Sequence, residues 1–244
     1  MSDYHSQARP IPTGRADMAV DAGLRSFMLG VYNKMAFGLL LSGALAWVVG
    51  TTPSLMAAIF GGPQAYLVMF GPLAILLVSS FAMRNPSPVG ANLVYWSVVT
   101  LIGVGMGALV YAYARIPDGM TLVAKAFLIT AASFGALSLW GYTTKKDLTG
   151  FGTFLIMGLV GLIIASIVNM FMQSSALGFA ISVIGVLVFA GLVAFDTQRL
   201  KFMYYQLGGN ERAMSVATTF GALSLYINFV NLFQFILSLL SPRN

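Results

Sequence analysis

Polar positions are scarce along this chain and come in short clusters, separated by long apolar runs. Six runs stand out near residues 31–52, 64–83, 90–113, 120–142, 150–171 and 176–198, with a seventh of mixed character near 216–240. About 20 residues rising ~1.5 Å each span the ~30 Å hydrocarbon core of a bilayer, so the pattern predicts transmembrane helices. The connections are short and carry turn residues: "RNPSP" at 84–88, "RIPDG" at 115–119 and "GGNE" at 208–211. They leave no room for a soluble domain. Residues 1–26 are polar, with Arg9, Pro10, Pro12, Arg15, Asp17 and Asp21 and no apolar core of a signal peptide. They read as a flexible cytoplasmic tail ahead of a membrane domain covering 27–244. The fold class expected is an all-α integral membrane protein. Whether the seventh run crosses fully or dips and returns stays open, and with it the side of the C-terminus.

Composition agrees with lipid as the surround. Hydrophobic residues make up 58% of the 244 and charged residues 8%, with a mean hydropathy of +0.86. A soluble domain carries roughly a quarter charged residues. The net charge of +6 comes from basic residues scattered singly or in pairs, which reads as topology and not as a nucleic-acid patch. With the N-terminus in the cytoplasm, Arg9, Arg15, Arg25, Lys34, Arg84, Lys145, Lys146, Arg199, Lys201 and Arg212 fall inside. Only Arg115, Arg243 and Lys125 oppose this, ten of the 13 basic residues against three. There is no cysteine, and the single histidine, His5, lies in the tail. With no nucleophile–base pair and no dicarboxylate in the membrane, an enzyme is not expected, nor is a cofactor.

Small residues pattern the runs. "GVGMG" at 103–107 holds a GxxxG pair, Gly103 and Gly107, which in lipid lets helices approach closely. It follows no strand, so it is not read as a dinucleotide fingerprint. "FGALSL" occurs twice, at 134–139 and 220–225, in runs that cross in opposite senses. An inverted repeat of the transporter kind would look like this, and so would small residues recurring among leucines for packing.

The acids sharpen the picture. Asp3, Asp17 and Asp21 lie in the tail and Asp118, Asp147 and Glu211 in connections, so of seven acids only Asp196 sits inside a run. An Asp at a helix centre costs ~2.5–3.5 kcal/mol on insertion scales and calls for a partner. Arg199 lies three residues on, within i,i+3 reach. Arg84, ending the second run, shares the cytoplasmic leaflet with Asp196, and an Arg84–Asp196 contact between helices would close a path and release it when Asp196 protonates. The seventh run adds Ser224, Tyr226, Asn228, Asn231 and Gln234, the last three at intervals of three residues. That polar stripe reads either as interhelical glue or as the lining of an ion path.

These residues resemble the Bax inhibitor-1 family (transmembrane Bax inhibitor motif proteins) in its bacterial branch. "FDTQRL" at 195–200 resembles the family's sixth-helix motif, the segment 129–169 its middle signature, and "LSLYINFVNLF" at 223–233 its last-helix motif. The resemblance implies a seven-helix bundle of the inner membrane with the last helix central, wrapped by the other six. It implies a pH-sensitive calcium leak whose sensor is a pair of acids, with an arginine ending the second helix as latch. Asp196 matches the first acid and Arg84 the latch, while the second acid position is Asn228. Asp196 would then be the ligand for a passing or bound Ca²⁺, and a monomer or weak oligomer is expected. Some bacterial relatives lacking the second acid are associated with a membrane AAA quality-control protease, so modulation of such a protease is the rival expectation, with the tail as its handle.

Overall fold

A computed structural model describes residues 13–83 and 85–241, with side chains from residue 22 onward. Among the described residues the chain forms eight helices and no strand: α1 (Thr13–Thr51), α2 (Pro53–Phe60), α3 (Gln64–Ala82), α4 (Pro88–Tyr113), α5 (Gly119–Thr143), α6 (Thr149–Met172), α7 (Ser175–Leu207) and α8 (Glu211–Leu240). All but the short α2 are long and apolar enough to cross a bilayer. Their ends follow local chemistry. Pro53 holds the preceding Thr52 extended at φ −106°, ψ 101°, so α1 cannot continue through it. Ser87, Ser174 and Asn210 cap α4, α7 and α8, each accepting from a backbone N–H three residues on. Between α7 and α8 the chain turns through Gly208 and Gly209 at φ +56° and +82°, a left-handed path that glycine takes without steric cost.

Two expectations are corrected and one open question is answered. The stretch 1–26, expected as a flexible tail, is helical from Thr13, and its first twelve residues lie outside the described residues. Leu24, Phe27, Met28 and Val31 recur at helical spacing and are all buried, so the apolar face of α1 begins ahead of the run at 31. The seventh run does not dip and return: α8 is one continuous helix of 30 residues. Its apolar stretch is 56% buried inside the bundle, against 6% for α3, so the last helix is central. Six helices do not wrap it equally, however. It packs against α1, α4, α5 and α7, whereas α3 leans on α4 and α6 on α7.

The α1–α4 crossing is set by glycine. A Cβ on Gly103 would stand 2.6 Å from Ser42 Cα, and one on Gly107 2.7 Å from Val49 Cβ. On the facing helix, a Cβ on Gly50 would meet the Gly107 carbonyl oxygen at 2.7 Å. The GxxxG pair therefore serves close backbone approach.

Candidate functional site

Asp196 is buried in α7, and both its oxygens are occupied. Ser224 Oγ donates to Oδ2, and Asn228 Nδ2 donates to the same oxygen at 2.8 Å. Ser224 and Asn228 stand four residues apart, on one face of α8 and one turn from each other. Arg199 Nη2 lies 3.1 Å from Oδ1 as an i,i+3 ion pair, with the Arg199 side chain 47% exposed and Asp196 7%. The pairing on the same helix is thus the one formed among the described residues. Arg84, expected as an interhelical latch, lies outside them.

The three residues after Phe195 and Asp196 complete a junction. Thr197 is fully buried and stands 3.3 Å from Ser138 of α5, its own Oγ1 donating to Val193 O at 2.8 Å. Gln198 holds the α5–α6 connection with both ends of its amide: Oε1 accepts from Leu148 N at 2.8 Å and Nε2 donates to Lys146 O at 2.7 Å. Arg199 then returns to Asp196. Four consecutive residues bind α8, α5, the α5–α6 connection and one another, because successive side chains on a helix point ~100° apart.

The polar stripe of α8 divides. Its period of three falls about 60° short of a full turn at each step, so it winds out of the core: Asn228 is buried, Asn231 half-buried and Gln234 exposed. Asn231 Nδ2 donates to Ile227 O of its own helix at 2.8 Å. Neither Asn231 nor Gln234 joins the Asp196 cluster. Tyr226 is fully buried on the opposite face from Ser224, where its hydroxyl meets Ser42 Oγ at 2.6 Å. Among the described residues no three His, Cys, Asp or Glu side chains converge as a metal site would need.

Lys34 was not legible as a site, having counted only as a topological charge. It lies well inside the first span, half-buried, and its ammonium donates to Asn92 Oδ1 of α4 and, at 2.7 Å, to Thr219 Oγ1 of α8. The Tyr95 ring lies 5.5 Å from Nζ, and the Tyr95 hydroxyl donates to Lys34 O at 2.6 Å. Its position inside run 31–52 was the available signal. A cation at membrane depth is costly unless paired with acceptors or an aromatic face. Lys34→Met is expected to lower stability by about 1–3 kcal/mol, the cost of leaving buried acceptors unmet. Thermal unfolding of the purified protein in detergent reads this, and an unchanged midpoint would remove Lys34 from the framework.

Comparison with known proteins fits this architecture. The family profile described as "Inhibitor of apoptosis-promoting Bax1" matches residues 24–244. A protein of Caulobacter vibrioides is 55% identical over 98% of this chain and 97% of its own length. One of Rickettsia prowazekii is 38% identical over 100% and 99%. The inner membrane protein YbhL of Escherichia coli is 36% identical over 94% and 97%. With seven apolar spans, a central last helix and a profile match across nearly its whole length, the chain belongs to the Bax inhibitor-1 family of membrane proteins.

Proposed function

We propose that the protein is a proton-gated cation leak of the inner membrane, held closed by the Asp196 junction between α7 and α8. The observation that carries this reading is that, among the described residues, every hydrogen-bonding group meeting the Asp196 carboxylate is a donor: Ser224 and Asn228 on Oδ2, Arg199 on Oδ1. An ionised carboxylate accepts from all three, whereas a protonated one carries a donor of its own. A proton on Oδ2 would face the Asn228 amide and the Ser224 hydroxyl; on Oδ1 it would face Arg199. Either position forces the hydroxyl to turn, the amide to flip or the guanidinium to leave, and the α7–α8 contact loosens. Protonation also removes the negative charge that Arg199 neutralises.

Selectivity for Ca²⁺ follows less directly from this donor set. Ca²⁺ takes six to eight oxygens, carboxylates prominent among them, and the cluster offers one carboxylate beside a hydroxyl and an amide. A cation leak without strong preference for Ca²⁺ suits it better. The decisive experiment is cation flux into liposomes holding the purified protein, at neutral and at mildly acidic pH. Wild type is expected to conduct more at acidic pH. Asp196→Asn, which keeps the shape but carries a permanent donor, is expected to conduct at neutral pH as wild type does in acid. An Asp196→Asn protein with the wild-type pH response would refute the gating role.

A further inference from the structure

α1 and α5 both pack on α8, yet between them they leave a cavity of about 620 Å³ on the outer face of the bundle. Its walls are two helical stripes. Arg25, Leu29 and Tyr32 come from α1, and Gly135, Ser138 and Tyr142 from α5. The stripe on α5 rises roughly 12 Å along the helix from Phe134 to Tyr142. The floor is apolar and firm, since buried Phe134 stacks edge-on against Phe229 with ring centres 5.5 Å apart. Gly135 opens onto empty space: a Cβ there would meet nothing within 4 Å.

One end of this groove is positively charged. Arg25 lines it and is exposed. At the same end Lys201 Nζ donates to Tyr142 O at 3.1 Å and lies 5.2 Å from the Tyr142 ring centre. Lys145 and Lys146, both exposed, follow directly on the end of α5. The carboxylate nearest Lys145 and Lys146 in sequence, Asp147, is turned to Thr149, accepting from its backbone N–H at 2.9 Å and from its hydroxyl at 2.6 Å. A long apolar slot open to the bilayer with a basic mouth matches one class of ligand in charge and polarity. We propose that this groove is a site for an anionic phospholipid, one acyl chain lying along Gly135 and its phosphate meeting Arg25 and Lys201. Basic pockets at the edges of transmembrane helices recognise anionic headgroups in this way. The proposal is independent of the Asp196 gate.

Native mass spectrometry of the full chain, released from detergent with phosphatidylglycerol or phosphatidylcholine added, tests it. Wild type is expected to retain phosphatidylglycerol in preference to phosphatidylcholine. Arg25→Gln should lose most of that preference, with a roughly fivefold drop in occupancy for the basic side chain removed, the counterpart of about 1 kcal/mol. Gly135→Phe should fill the slot and lower retention of both lipids, while its thermal midpoint without added lipid stays at or above that of wild type. Equal retention of the two lipids by wild type would overturn the proposal. So would phosphatidylglycerol retention unmoved by either substitution, or a dimer that Gly135→Phe dissolves, which would assign the groove to a second copy of the chain. Because Arg25 is exposed, its variant keeps the test alive even if Gly135→Phe folds poorly.

Discussion

Gly103→Leu is expected to leave the protein unable to hold its fold. At this position even a methyl group would stand 2.6 Å from Ser42 Cα and 3.1 Å from Ser42 O. Both are backbone atoms, so no rotamer change relieves the clash and α1 must move bodily away from α4. That motion would also pull Ser42 from Tyr226 and Lys34 from Asn92 and Thr219. Overpacking alone costs about 1–3 kcal/mol or more, and each buried polar group stripped of its partner adds about 1–3 kcal/mol. The sum is comparable with the ~5–15 kcal/mol stability of an ordinary domain. Gly161→Leu is the control, because a Cβ there meets nothing within 4 Å. The monodisperse fraction in detergent and the thermal midpoint should collapse for the first variant and stay near wild type for the second. A monodisperse Gly103→Leu protein with an unshifted midpoint would show that the crossing is not as tight as described.

Asn228→Asp should create a divalent cation site. Asn228 is buried, with Nδ2 2.8 Å from Asp196 Oδ2, so the substitution sets two carboxylates side by side. Two such groups cannot both be ionised without a counter-charge between them, and they titrate as a coupled pair. Arg199 balances one of the two charges, Ca²⁺ supplies the counter-charge for the second, and Ser224 Oγ and water add further oxygens. At calcium a hundredfold above the dissociation constant, binding to the folded state adds about 2.7 kcal/mol. The thermal midpoint of Asn228→Asp should therefore rise with calcium while that of wild type stays still. Equal shifts in both proteins would mean that positions 196 and 228 do not cooperate in holding an ion.

The spans were readable in advance because hydrocarbon thickness fixes their length, and the runs near 64–83, 90–113 and 120–142 fall within two residues of α3, α4 and α5. The eight residues of α2 were not, since "PSLMAAIF" is too short to carry a period of its own. The start of α1 was misread for a different reason: Leu24, Phe27 and Met28 are interspersed with polar and small residues, and they join Val31 in one apolar face only when placed on a helix. Asp196 could be found by charge accounting, as the single acid within a run. Its partner could not be chosen that way, because Arg199 competes through local geometry and Arg84 through a topology that sequence gives only in outline. Thr197 and Gln198 entered only as letters of the motif at 195–200 and were given no role, being uncharged and so invisible to that accounting, although they fix α5 and the α5–α6 connection. How far Gln234 winds away from Asn228 was not legible either, because each three-residue step falls about 60° short of a helical turn.

The central position of α8 bears on how the chain is made. Two earlier spans carry three polar groups whose partners lie on this last helix: Lys34 of α1 with Thr219, Ser42 of α1 with Tyr226, and Asp196 of α7 with Ser224 and Asn228. During synthesis, α1 to α7 enter the bilayer before residue 211 leaves the ribosome, and until then those groups have no α8 to meet. A polypeptide truncated ahead of α8 keeps a lysine, a serine and an aspartate without these partners at membrane depth, where each is costly. The thirty residues of α8 therefore complete the framework, supplying in one helix the partners that the polar groups of α1 and α7 lack until it is in place.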